Sequence, residues 1–197
     1  MTKAFVLKHS WAFWLFFGSL SVMLVIELVR AYRKRGRTDS RNNRMSSVFL
    51  VAVISISILL AFVSMYFSWF TVSAAQFWLY VVGIALIWIG IAYRWYAVRY
   101  LGRYFSVDLE VREDHEVVDA GPYSHVRNPS YTGGLISFIG VGFAGNNPLS
   151  LAVLMVGTAV AYSYRIRVEE DVLRENLGEE YEEYMEETPY RLIPYVW

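Results

Sequence analysis

The chain has no cysteine. That excludes disulfides, thiolate metal sites and thiol nucleophiles. It has only three histidines, His9, His115 and His125, and they show no metal-ligand spacing. Charge is scarce as well: 18% of residues are charged, against about 25% in an ordinary soluble domain. The 18 basic and 18 acidic side chains cancel, yet they are segregated. Basic residues crowd 30–44 and acidic ones 169–187. Nothing in this pattern points to a nucleic-acid or metal partner.

What the chain has instead is apolar length. Hydrophobic residues make up 56% of its 197 positions, above the roughly 45–50% of soluble domains, and the length suits one domain. Residues 11–29 carry a single charge, Glu27, while 46–70 and 77–93 carry none. No proline interrupts these runs, and each approaches or exceeds the roughly 20 residues that span hydrocarbon. The first run is longer than the apolar part of a cleaved signal, about 7–15 residues. A fourth apolar stretch, 130–166, is broken by Gly145-Asn-Asn-Pro148. Within one span that break would leave backbone groups unpaired in lipid. A hairpin of two spans, 130–144 and 148–166, avoids this.

Arginines give the direction. Arg30, Arg33, Lys34, Arg35, Arg37, Arg41 and Arg44 share one short loop with a single acid, Asp39. The positive-inside rule places that loop in the cytoplasm. Arg94, Arg99 and Arg103 close the third span on the same side. Five spans then put the N-terminus outside and both 100–129 and 167–197 in the cytoplasm. The expected fold is an all-α integral membrane protein with five transmembrane helices. Residues 1–103 are expected to form a three-span half, and 104–197 a second half with a helical membrane hairpin and a cytoplasmic C-terminal helix. Alternation over 105–111 suggests a short extended segment, with another piece at Val117-Val118. Helical spacing of Val168, Val172, Leu173, Leu177, Tyr181, Tyr184 and Met185 suggests an amphipathic helix over 167–187, interrupted at Gly178.

Two polar clusters therefore meet at one membrane face. The first is Gly121-Pro-Tyr-Ser-His-Val-Arg-Asn-Pro-Ser-Tyr131 and the second runs from Arg165 to Asp171. Arg165 and Glu169 lie one helical turn apart. They can form an i, i+4 salt bridge, worth only about 0.3–0.5 kcal/mol when exposed. Alternatively, Arg165 can hold a substrate carboxylate in a bidentate fork, with Glu169 accepting hydrogen bonds from a cofactor. His115 and His125 suit solvated loop positions, Tyr123 and Tyr131 an aromatic belt, and Pro129 the first turn of the fourth span. Gly140-Val-Gly-Phe-Ala-Gly145 matches a dinucleotide fingerprint in letters only. It lies inside an apolar segment, where small residues serve close helix packing.

The order Gly121-Pro-Tyr123, Arg127-Asn-Pro-Ser-Tyr131-x-Gly133, Arg165-x-x-x-Glu169-Glu170 and Leu177-Gly-Glu-Glu-Tyr181 resembles the isoprenylcysteine carboxyl methyltransferase family over roughly 104–190. The resemblance implies methyl transfer from S-adenosylmethionine to the carboxylate of a prenylated cysteine at the cytosolic face of a membrane. By the family pattern, His115, Glu116, Val117, Val118, Tyr123, Asn128, Pro129, Ser130, Tyr131 and Glu169 line the cofactor pocket. Arg165 faces the substrate carboxylate. The family usually has histidine where this chain has Asn128, which cannot ionise. Phospholipid N-methyltransferases resemble the same half. The ending Arg191-Leu-Ile-Pro-Tyr-Val-Trp197 is similar to that of NADPH-dependent sterol reductases. A non-catalytic scaffold, whose polar clusters only cap helices, is the remaining alternative.

The topology has a direct test. Cysteines introduced at Gly36 and Thr188 should both react with an impermeant thiol reagent from the cytoplasmic side alone. Labelling from opposite sides would contradict the five-span arrangement.

Overall fold

The computed structural model describes residues 4–32, 41–65, 71–72, 75–102 and 117–197. Within them all regular structure is helical: α1 (Phe5–Lys8), α2 (Ser10–Tyr32), α3 (Arg41–Met65), α4 (Gln76–Leu101), α5 (Pro129–Ala144), α6 (Pro148–Leu177) and α7 (Glu179–Glu187). Among the described residues three stretches are long and apolar enough to cross a membrane, Arg44–Met65, Gln76–Leu101 and Pro148–Leu177, while the first expected span stands as a shorter apolar helix, Ser10–Ile26. The chain is an integral membrane protein. The extended segment expected at 105–111 lies outside the described residues. Val117 and Val118 form no strand and run into a 3-10 turn at Gly121–Ser124.

The last two expected spans are α5 and α6, and they differ sharply. The 16 residues of α5 reach only about 24 Å at 1.5 Å per residue, short of a hydrocarbon layer of about 30 Å. The helix can be short because it is the inner one. Ten of its residues are buried, and glycines bring it into backbone contact with α4. A Cβ on Gly90 would stand 2.5 Å from Gly133 O, and one on Gly140 would stand 2.6 Å from Gly83 O. The pairs run in antiparallel register, and Ser137 Oγ donates to Ile87 O between them. The glycine-rich stretch 140–145 is thus a packing surface, as its letters in an apolar segment indicated.

By contrast, α6 has 30 residues, about 45 Å, and extends well past any hydrocarbon layer. The amphipathic helix expected over 167–187 is not a separate element up to Gly178. Its first part continues α6 without a break. The stop comes at Gly178, whose φ of +56° suits a residue without a Cβ.

The Asn-Asn-Pro break is a hairpin tip, and neighbours satisfy it. Asn146 takes a left-handed φ of +52°. Its Oδ1 accepts from Phe5 N at 3.1 Å and its Nδ2 donates to Gln76 O at 3.2 Å. Asn147 Nδ2 donates to Ser64 O at 2.9 Å, and its Oδ1 caps α6 by accepting from Ser150 N. Lys8 Nζ donates to Gln76 Oε1. The N-terminal segment, the start of α4 and the hairpin tip therefore share one end of the bundle. The start of α3, the end of α4, the start of α5 and the outer part of α6 share the other, where Arg165 meets Ser46 and Arg94 meets Ser130. Thr188 is buried at that end, so the exposed Glu187 beside it is the better labelling position.

The glycine seam makes a stability prediction. Gly90→Ala should destabilise the protein by about 1–3 kcal/mol through overpacking. Gly18→Ala has open space around its Cβ and should be neutral or slightly stabilising. Thermal unfolding in detergent compares the two. Equal effects would show that the α4–α5 contact is not tight.

Candidate functional site at one end of the bundle

Arg165 and Glu169 come together as their spacing suggested, but deep in protein. Arg165 is 1% exposed. Its Nε donates to Glu169 Oε1 at 2.8 Å, and its Nη1 donates to Ser46 Oγ at 2.6 Å and Ser47 Oγ at 2.8 Å. An arginine can sit in so dry a place only with a counter-charge and hydrogen-bond acceptors around it. Tyr131, in the first turn of α5, donates its hydroxyl to the same Glu169 oxygen at 2.8 Å. Its ring lies against Tyr162, with centroids 4.8 Å apart. Arg94 Cζ stands 6.0 Å from the centroid of the same Tyr131 ring, and its Nη1 donates to Ser130 O at 2.9 Å. Four helices, α3, α4, α5 and α6, thus supply one polar cluster. A further carboxylate brought to Arg165 would compete with the two serine hydroxyls on Nη1.

The Asn128–Tyr131 stretch enters this cluster from the loop side. Pro129 occupies the first turn of α5 and Asn128 precedes it as N-cap, without a capping bond from its side chain. Its Nδ2 is buried and has no hydrogen-bond partner among the described residues. Leaving such a donor unpaired costs about 1–3 kcal/mol. An acceptor on a bound molecule would relieve that cost.

The structure gathers Asn128, Pro129, Ser130, Tyr131, Arg165 and Glu169 at one place. Val117, Val118 and Tyr123 belong to a neighbouring apolar cluster with Tyr181, Tyr184, Leu173 and Leu177. There Tyr123 donates its hydroxyl to Ala97 O at 3.3 Å and accepts on its carbonyl from Tyr184 Oη at 2.8 Å. Burial, then the nearby Glu169 charge, pushes the Tyr123 hydroxyl well above the usual phenol range. It stays protonated at neutral pH. His115 and Glu116 lie outside the described residues. His125 is exposed and bonds locally to Ser124 and Gly121 O.

Several residues here were given no role from sequence. Ser46 and Ser47 are ordinary in an apolar run, and only the pairing of α3 with α6 brings them to Arg165. Glu170 is 2% exposed and accepts from Arg127 Nε at 2.9 Å and Arg191 Nε at 2.7 Å. An acid directly beside Glu169, with arginines at 127 and 191, was the available signal.

Residues 78–180 match the phospholipid methyltransferase family model. A protein-S-isoprenylcysteine O-methyltransferase B of Arabidopsis thaliana is 32% identical over 123 residues, covering 61% of this chain and 62% of that one. The protein-S-isoprenylcysteine O-methyltransferase of Saccharomyces cerevisiae is 39% identical over 106 residues, covering 53% and 44%. The chain thus spans less than two thirds of the length of either relative. Among solved structures, a eukaryotic intramembrane Ras methyltransferase, isoprenylcysteine carboxyl methyltransferase, superposes with a TM-score of 0.65. That match covers 97% of this chain and 70% of the other at 23% identity, which speaks to the fold.

The buried pair is testable by a mutant cycle. Arg165→Met should destabilise the protein by about 3–5 kcal/mol, because it strands the Glu169 charge. Adding Glu169→Gln should recover much of that loss. Purely additive effects in thermal unfolding would show that the two side chains do not depend on each other.

Proposed function

We propose the following function for a chain that belongs to the phospholipid methyltransferase family: S-adenosylmethionine-dependent methylation of the carboxylate of a prenylcysteine-like, lipophilic acceptor, at the cytoplasmic face of a membrane. The observation that carries this reading is one guanidinium, Arg165, held at the meeting of apolar helices beside a loop-borne polar stretch. The curated relatives named above support the same acceptor class.

The residues present fit the methyl donor. Asn128 Nδ2 is a buried donor in need of an acceptor, which a carboxylate, ribose or purine ring can supply. Glu169 is a carboxylate suited to an ammonium or hydroxyl group. Asn128, Pro129, Ser130, Tyr131 and Glu169 would hold the donor, with Val117, Val118 and Tyr123 beside them. His115 and Glu116 join them on the strength of the family resemblance. When bound, S-adenosylmethionine supplies an electrophilic methyl group on a sulfonium.

The chain's own residues have three tasks. Arg165 orients the acceptor carboxylate, and its bonds to Glu169 and the two serines set the direction of its fork. Tyr131 holds Glu169 in place through its hydroxyl. The apolar faces of α3, α5 and α6 exclude water, which removes hydration from the nucleophile. No general base is needed, because a terminal carboxylate with a reference pKa of about 3.3–3.7 is already ionised at neutral pH. Positioning of two reactants can account for about 7–11 kcal/mol of barrier.

A second reading, transfer to the amine of a phospholipid, is favoured by the description of the matched family. It requires a deprotonated nitrogen, and Arg165 would repel the charged form.

Labelled-methyl transfer from S-adenosylmethionine to matched carboxylate and amine lipids separates the two. The carboxylate series should be methylated, with turnover falling as the tail is shortened by methylenes worth about 0.8 kcal/mol each. Glu169→Gln should weaken donor affinity by about 1.5–3 kcal/mol, while Arg165→Lys, which keeps the charge beside Glu169, should mainly raise the acceptor KM. Preferential methylation of the amine series would overturn the carboxylate assignment.

A further inference from the structure

Glu169 and Glu170 are neighbours in sequence, yet successive side chains on a helix point about 100° apart. Glu169 turns to Arg165 and Tyr131. Glu170 turns into protein, and its two oxygens are divided between two arginines, Oε1 to Arg127 and Oε2 to Arg191. Those arginines come from segments that also meet backbone to backbone. Arg127 N donates to Tyr190 O and Asn128 N to Arg191 O, both at 2.9 Å. Arg127 Nη1 donates to Thr188 O at 2.7 Å, and Thr132 Oγ1 to Leu192 O at 2.8 Å. Residues 188–192 therefore lie as a strap across 127–132. Asn128, with its unpartnered Nδ2, sits under that strap.

We propose that Glu170 is a positioning residue of the methyl-donor pocket. By pinning Arg127 and Arg191 it holds the strap on the start of α5, and so fixes the backbone that presents Asn128, Ser130 and Tyr131. The proposal rests on the reading of those three residues as donor-binding. The electrostatics give Glu170 this role. One carboxylate stands between two guanidiniums, and guanidiniums carry donors only. With Glu170 replaced by glutamine, two like charges face each other and an amide NH2 meets N–H donors. The strap and the start of α5 are then pushed apart. The acceptor side, at Arg165 with Ser46 and Ser47, lies one step beyond Tyr131 and Glu169 from this strap.

The test uses the full chain in detergent micelles, with S-adenosylmethionine affinity by calorimetry and separate KM values for the donor and a prenylcysteine acceptor. Glu170→Gln should raise the donor Kd and KM about tenfold or more, as loss of charged hydrogen bonds does. The acceptor KM should rise by a clearly smaller factor, because Arg165 keeps its bonds to Ser46 and Ser47. Glu170→Asp keeps the charge and should recover part of the loss. Arg191→Gln leaves the buried Arg127–Glu170 pair intact, so it should fold and shift the donor Kd in the same direction. Unchanged donor affinity in Arg191→Gln and in folded Glu170→Gln would overturn the proposal, as would an acceptor KM that rises as much as the donor KM. If the wild-type chain binds no S-adenosylmethionine, the donor-pocket reading falls and the proposal with it. If the wild type binds and the variants bind equally well, the proposal alone falls.

Discussion

Two adjacent carboxylates on α6 hold the polar end of this molecule together. Glu169 neutralises Arg165 inside the bundle and accepts from Tyr131, which ties α6 to α5. Arg165 in turn reaches Ser46 and Ser47 and brings in α3. Glu170, on the next face, gathers Arg127 and Arg191 and with them the C-terminal strap. Beside lipid, a buried charge without a partner is too costly to tolerate. Each of these side chains therefore constrains where its neighbours can stand.

The opposite end obeys the same constraint with neutral groups. Asn146 and Asn147 turn the chain between α5 and α6, and their amides bond Phe5, Gln76, Ser64 and Ser150. The tip is thus satisfied within protein. Between the two ends, glycines on α4 and α5 bring the backbones into contact and allow the short α5 to occupy the centre. The outcome is a bundle whose apolar length is set by lipid and whose polar groups are collected at its ends.

Three of the five expected spans, at α3, α4 and α6, were legible because long apolar runs leave few alternatives, and the hairpin because Asn-Asn-Pro could not sit within one span. The pairing of Arg165 with Glu169 was legible from their four-residue spacing. The length of α6 was less so. An apolar span and an amphipathic helix have different hydrophobic patterns, but the backbone runs through both and stops only where Gly178 adopts a positive φ. Ser46, Ser47, Glu170 and the strap at 188–192 were not legible, because their partners lie 118 or 119, 21 or 43, and about 60 residues away in sequence. Such contacts depend on which helices pack together, and periodicity within a helix does not carry that. The orphaned amide of Asn128 is likewise a tertiary fact. The sequence distinguished it only as a residue that cannot ionise.

The proposed function stands on a methyl-donor pocket at Asn128, Tyr131 and Glu169. Calorimetric titration of the purified chain with S-adenosylmethionine, and in parallel with NADPH, tests it most directly. Saturable binding of S-adenosylmethionine, weakened by Asn128→Ala, is expected, with no binding of NADPH. Saturable binding of NADPH, or no binding of S-adenosylmethionine to the folded protein, would contradict it.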